Sequence, residues 1–301
     1  MTDTVRFIES DQAIKFAPQY VAEQLGFFQD AGIVIRYGPD PGPGGSALAD
    51  RLVEDAADVA LGGVWLPLLY RELGVADLTP FAQLCDRNPA VFLSRGGQRL
   101  DDLEELAGKR VLLSMAATSQ WMFLSRVLLE KGVDLRSVKF VRDLDVQTTQ
   151  RLWGYGYCDY YLVDPLRAVR LSRTGSSIAA SLAHLCGRVP WSVYYAGPGF
   201  TGTTRNDRGS LPGRYREAVS RAVAWIGDTD PEKVADLLAG RFPSVDAADL
   251  AAAVSLIGEF EVWRGEMTIA PEPLRRYEAM MVDYGLLTRE PDPLPLEATW
   301  H

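Results

Sequence analysis

The order of apolar segments constrains this chain more than any single motif does. Val5-Arg6-Phe7-Ile8 reads as a strand, residues 17–30 place Tyr20, Val21, Leu25 and Phe28 at helical spacing, and Ile33 to Tyr37 reads as a second strand. A Gly/Pro-rich turn from Pro39 to Ser46 then feeds a helix over Ala47 to Glu54 and a third strand over Asp58 to Leu61, which ends at Gly62-Gly63. The same order returns further on: strand Lys109 to Ser114, helix from Thr118 or Ser119 to Lys131, strand Val138 to Val141, helix Val146 to Trp153, and strand Asp159 to Val163. Strands joined through helices lie parallel, because the crossover returns each strand in the direction of the last. Two such runs predict an α/β protein of two lobes, each a doubly wound, mostly parallel sheet, with a ligand cleft between the lobes.

The remaining segments are read as crossings and as a helical finish. Thr79 to Leu84, Ala90 to Ser94, Ser177 to Leu182 and Ser192 to Ala196 are strand-like, and helices are predicted over residues 215–226, 231–239, 247–260 and 273–284. The predicted division is residues 1–94 plus 195–301 as one lobe and 95–194 as the other. At 301 residues the chain suits two domains of about 150 residues each.

Composition excludes several classes. A net charge of -9 is the wrong sign for a nucleic-acid partner, since phosphate binding needs clustered Lys and Arg. Cys85, Cys158 and Cys186 form no CxxC pair, and His184 and His301 are the only histidines, so neither a zinc site nor a histidine-based triad is expected. No metal or nucleotide cofactor is expected either: Pro41-Gly42-Pro43-Gly44-Gly45 lacks the G-x-G-x-x-G spacing, and no Walker lysine follows it. No apolar run reaches the roughly 18 to 20 residues of a membrane span. No export signal precedes the first strand, so a cytoplasmic location is expected, and an extracytoplasmic one if a leader has been removed.

In a doubly wound sheet the ligand lies outside the carboxyl ends of the strands, so the loops after the strands are the informative ones. In the first lobe these carry Ser10, Asp11 and Gln12, then Gly44, Gly45 and Ser46, then Gly62, Gly63 and Trp65. Gly44-Gly45-Ser46 opens a helix, where free backbone N–H groups favour an anion. In the second lobe the matching positions are Ser114, Thr118, Ser119 and Trp121, followed by Asp143, Tyr160 and Tyr161, with Trp191 at the return crossing. The aromatic side chains among them, with Trp153, Tyr155 and Tyr157, point to an aromatic or extended organic ligand, anionic in part. For catalysis the candidates are Asp86, Arg87 and Asp164: Arg87 to clamp an anion, and an aspartate to move a proton.

Several stretches resemble the type 2 periplasmic solute-binding-protein superfamily, in its nitrate, sulfonate, taurine and thiamine-pyrimidine family. They are the segments 17–28 (APQYVAEQLGFF), 57–62 (ADVALG), 102–111 (DLEELAGKRV) and 154–159 (GYGYCD), with Phe242-Pro243 and Tyr284-Gly285-Leu286 near the end. The resemblance runs over nearly the whole chain and implies the two-lobed fold. The family holds transporter subunits and intracellular enzymes. The lysine and histidine of its thiamine-pyrimidine synthase are missing from the matching stretch Gly62-Gly63-Val64-Trp65-Leu66. The segment 61–69 (LGGVWLPLL) is similar to the aromatic sulfinate desulfinase, but the positions matching that enzyme's cysteine, histidine and arginine are Gln12, Ala47 and Ala60.

Two functions follow. The first is an intracellular enzyme on a solute-binding-protein scaffold, a hydrolase, lyase or cyclase acting on a small aromatic or carboxylated metabolite. The alternative is a non-catalytic binding protein, serving an ABC permease or carrying a ligand in the cytoplasm. The missing export signal favours the first, and the absent catalytic sets favour the second.

Overall fold

Strand β1 (Asp3–Glu9) alternates, and its inward residues Val5 and Phe7 are fully buried. This computed structural model describes residues 2–42, 45, 47–114, 118–201 and 209–288. After β1 come α1 (Ala17–Gln24) and α2 (Phe27–Asp30), where the sequence predicts one continuous helix. Gly26 separates them: its φ of 76° is left-handed, so the first helix ends there and the chain restarts with a new axis. Strand β2 (Ile33–Tyr37), α3 (Leu48–Val53), β3 (Val59–Gly62), α4 (Trp65–Glu72) and β4 (Thr79–Arg87) follow.

The chain then enters a second unit through β5 (Val91–Arg95), β6 (Arg110–Ser114), α5 (Thr118–Glu130), β7 (Lys139–Leu144), α6 (Val146–Gly154), β8 (Tyr160–Val163), α7 (Pro165–Ser172), β9 (Ser176–Ser181) and α8 (Leu182–Cys186). It leaves through β10 (Arg188–Ala196) into α9 (Pro198–Thr201), α10 (Leu211–Gly227), α11 (Pro231–Leu238), α12 (Ala247–Glu259) and α13 (Pro271–Asp283). The first unit takes in Met1–Asp86, Val189–Val254 and Trp263–His301, and the second Arg87–Arg188 and Ser255–Val262.

Each unit has one five-stranded sheet: β2-β1-β3-β10-β4 in the first and β7-β6-β8-β5-β9 in the second. In both, the three strands of the βαβαβ run are parallel, and the strand beside them is antiparallel: β10 against β3, and β5 against β8. The sheets are therefore mixed. Residues 91–94 sit on β5, whose partners β8 and β9 are both in the second sheet. Residues 189–194 sit on β10, which pairs with β3 in the first. The units thus meet the chain at 86/87 and 188/189, earlier than 94/95 and 194/195. Residues 255–262, read from sequence as the tail of a first-lobe helix, belong to the second unit. There Glu261 accepts from Arg87 at 3.0 Å, and Phe260 meets the His184 ring edge-on at 5.4 Å.

The first core is aromatic. Tyr194 stands among Phe7, Phe81 and Tyr215, and the hydroxyls of Tyr194 and Tyr215 donate to the buried Gln19 Oε1 at 3.1 and 3.0 Å. Buried phenols need such an acceptor, because an unpaired hydroxyl in an apolar core loses its hydration without return.

Candidate functional site

At the carboxyl ends of β1 and β3 the first unit brings three sequence-predicted residues together. The Ser10 amide donates to the Leu61 carbonyl at 3.0 Å, which closes the loop after β1 onto the end of β3. Gly45 has a φ of 69°, and a Cβ on it would stand 2.8 Å from the Ser10 Cα and 2.6 Å from a Leu48 methyl. A Cβ on Gly62 would stand 3.1 Å from Leu48 and 3.5 Å from the Tyr195 hydroxyl. Glycine at 45 is thus required twice, by its left-handed backbone and by the close approach of Ser10. Tyr195 is fully buried, and its hydroxyl has no hydrogen-bond partner among the described residues. Gly63 faces the Trp65 indole, 2.5 Å from where its Cβ would be. Gly44 and Ser46 lie outside the described residues. The free N–H groups expected at this turn are not free at its two described positions: Gly45 donates to Gly42 and Ala47 to Pro41, at 3.1 and 3.0 Å. The helix that follows has only six residues, too few for a strong dipole.

Asp11 and Gln12 complete the loop. Asp11 accepts from Ser10 Oγ at 2.7 Å and pairs with Lys15 at 3.2 Å. Burial works to raise the Asp11 carboxyl, but the Lys15 ammonium and the Ser10 hydroxyl outweigh it and hold the group below its ordinary value. The Gln12 amide donates to the Arg241 carbonyl.

Arg241 opens a cluster that the sequence analysis did not identify. Its guanidinium donates to Glu9 Oε1 at 2.9 Å and lies over the rings of Tyr20 and Tyr37, 4.6 and 4.2 Å from their centroids. Tyr20 donates to the other Glu9 oxygen at 2.7 Å, and Tyr37 donates to Glu23 at 3.0 Å. Burial pushes the Glu9 carboxyl above the usual carboxylate range, against the pull of Tyr20 and Arg241. Glu9 stands at the carboxyl end of β1, directly before the predicted ligand loop, and that position was the available sign of it. Nothing local marks Arg241, which is 232 positions away.

The catalytic candidates have protein partners. Asp86, 2% exposed, accepts from Gln83 at 2.9 Å and from Arg264 at 3.2 Å. Arg87 donates to the Ala183 carbonyl and to Glu261, at 3.1 and 3.0 Å. Asp164 caps α7, accepting from the Arg167 amide at 2.9 Å. The Cys85 thiol is buried, and burial pushes it up to about 12, far from a nucleophile at neutral pH.

In the second unit the predicted ligand aromatics are dispersed. Tyr160 and Tyr161 are fully buried: the first stacks edge-on to Phe92 and the second donates to Thr149 Oγ1 at 3.2 Å. They are core residues. The Trp153 Nε1 donates to Ser176 at 3.0 Å, whereas Tyr155 is 84% exposed on the turn after α6. Trp121 packs on Phe140 under the Arg142 guanidinium, and Asp143, with a φ of 66°, pairs with Arg142 at 3.5 Å. Ser119 is half-buried on the first turn of α5. Beside it, Gln120 accepts from the buried Asn88 at 2.6 Å, a contact no motif announced. The side chains of Ser114 and Thr118 lie outside the described residues. Trp191 is half-buried on β10, in the first unit. Among the described residues no cluster of His, Cys, Asp and Glu could hold a metal ion, and no helix is long and apolar enough to cross a membrane.

A family model described as "NMT1/THI5 like" matches residues 13–155. A Bacillus subtilis (strain 168) protein, YtlA, which its name describes as a binding protein, is 22% identical over 273 residues, covering 90% of this chain and 78% of its own. The periplasmic aliphatic sulphonate binding protein SsuA from Escherichia coli superposes with a TM-score of 0.71 at 15% identity, over 96% of this chain and 90% of SsuA. The desulfurization enzyme DSZB superposes at 0.63 with 18% identity, over 98% of this chain and 95% of that one. At these identities the solved structures establish the fold, which hosts both binding and catalysis. The chain thus has the fold of these solved proteins, built here as two mixed five-stranded sheets, one in each unit.

Proposed function

We propose that the protein is a non-catalytic binding protein for a small organic anion of the sulfonate class. The observation that carries this reading is a contrast between the candidate residues: Ser10, Gly45 and Gly62 converge at the strand ends of the first unit, while Asp86, Arg87 and Asp164 are committed to partners within the protein. Closely apposed backbone with a serine hydroxyl at its edge suits reception of a ligand's polar group. Lys15 beside it supplies a cation that an incoming anion could share with Asp11. The relatives lend support, since YtlA is named for binding and SsuA for binding aliphatic sulphonates. The enzyme reading has DSZB in its favour, but Gln12 and Ala47 supply neither thiol nor imidazole where that chemistry needs them. Under the binding reading the ligand is passed to an ABC permease or carried in the cytoplasm, and cell fractionation with co-purification distinguishes the two.

The test is thermal stabilisation by ethanesulfonate, hexanesulfonate, taurine and an aryl sulfinate, followed by recovery of each compound. A ligand present at 100 times its Kd stabilises the fold by about 2.7 kcal/mol. Stabilisation with unchanged ligand is the expected result. Consumption of a stabilising compound with turnover would overturn it in favour of an enzyme, and no stabilisation by any of the four would remove the sulfonate class.

A further inference from the structure

The loop that carries Ser10 is held at both ends by one distant residue. Glu9, immediately before it, receives the Arg241 guanidinium at 2.9 Å, and Gln12, on its far side, donates to the Arg241 backbone carbonyl. Arg241 is itself held: its guanidinium lies over both the Tyr20 and Tyr37 rings, and the next residue, Phe242, stands edge-on to Tyr20 at 5.9 Å. Tyr20 completes the arrangement by donating to Glu9. A cation that lies over two aromatic rings and pairs with a largely buried carboxylate has few alternative positions, so the groups it bonds are held in place with it. Between the two ties, the Ser10 amide bonds to Leu61, and Ser10, Asp11 and Lys15 make short-range contacts with one another.

We propose that Arg241, on the turn after α11, is the positioning residue of the Ser10–Gln12 loop, fixing it in the conformation that receives the ligand. The ligand part of this inference rests on the binding function proposed above; the positioning part does not. Arg241 does not act by touching the ligand. It sets where Ser10 stands, as supporting residues do when they lock a binding element to a rigid scaffold.

The test is amide hydrogen exchange by NMR on the full chain, in wild type, Arg241→Ala, Arg241→Lys and Gln12→Ala. The reporter amides are Ser10, bonded to Leu61, and Phe16, bonded to Ala13; the Gln83 amide, bonded to Met267, is the control elsewhere in the unit. In Arg241→Ala the reporters are expected to exchange about tenfold faster with Gln83 unchanged, because only the local opening equilibrium shifts. Arg241→Lys, which keeps a cation for Glu9 and the rings, restores most of the protection. Wild-type exchange at Ser10 and Phe16 in Arg241→Ala, or equal acceleration at Gln83, overturns the proposal. Should Arg241→Ala fail to fold, Gln12→Ala decides, because Gln12 is exposed and its loss cuts one tie alone; reporters unmoved there overturn it as well. Ethanesulfonate affinity, read by calorimetry, is expected to fall about tenfold in parallel with the lost protection. If wild type binds no sulfonate, the proposed ligand class fails, and the exchange comparison still decides the role of Arg241.

Discussion

The guanidinium of Arg241 donates to the carboxylate of Glu9 at 2.9 Å, joining the end of the first strand to a turn in the last third of the chain. Glu9 has only 10% of its side chain exposed, and Arg241 27%. Removing one member therefore leaves the other poorly solvated. Arg241→Met is expected to lower stability by about 2 kcal/mol, the range for hydrogen bonds to charged groups. Urea denaturation of the two proteins at neutral pH measures it, and a loss below a few tenths would show a pair without net effect.

Glu9 also makes stability depend on pH. Its folded-state carboxyl lies above its ordinary value of 4.5, so the folded state keeps the proton to higher pH than the unfolded state does. The stability this group contributes is fully present below the ordinary value and is lost as pH rises through the folded one. Glu9→Gln removes the titration. The stability of wild type relative to Glu9→Gln should thus fall as pH rises above the ordinary value of 4.5, as denaturation midpoints at stepped pH will show. A difference that rises over that range would place the folded value below the ordinary one.

Gly45 and Gly74 offer a matched comparison. Both have left-handed backbone, with φ of 69° and 64°, but a Cβ meets Ser10 and Leu48 at the first and nothing within 4 Å at the second. Gly74→Ala is expected to cost about 1 kcal/mol, the backbone penalty alone. Gly45→Ala should cost about 1–3 kcal/mol and weaken ligand binding, because Ser10 must give way. Equal costs would mean that the β2–α3 connection moves aside freely.

The Cys85 thiol is pushed up to about 12 and is fully buried, and Cys158 and Cys186 are buried too. Iodoacetamide at pH 8 is expected to leave all three unmodified in the native protein and to modify all three once it is unfolded, by peptide mapping. Alkylation of Cys85 in the folded state would mean that its strand opens readily.

Asp86 and Arg264 should respond unequally. Asp86 has 3% of its side chain exposed and Arg264 42%, so water can replace Arg264 far better than Asp86. Asp86→Ala is expected to cost about 3 kcal/mol, since Gln83 and Arg264 lose their acceptor, and Arg264→Ala about 1 kcal/mol or less. Comparable costs would argue that the contact is stronger than its exposure implies.

The sequence by itself determined the two βαβαβ runs, because strand and helix periodicities are local and each element needs only its own apolar face to be recognised. It likewise marked the loops where Ser10, Gly45 and Gly62 lie, since the carboxyl ends of parallel strands follow from element order. Tertiary structure decided what pairing decides. The apolar segment 91–94 reads alike for either sheet, and only its bonds to β8 and β9 assign it to the second unit. Tyr160 and Tyr161 could have lined a pocket or filled a core, and complete burial made them core. Asp86, Arg87 and Asp164 had the right chemistry for catalysis, but Arg264, Glu261 and the α7 amide reach them first. Arg241 is the extreme case: a side chain that meets Glu9 across 232 positions leaves no periodicity, spacing or motif to read, because the contact exists only once the chain has folded back on its first strand.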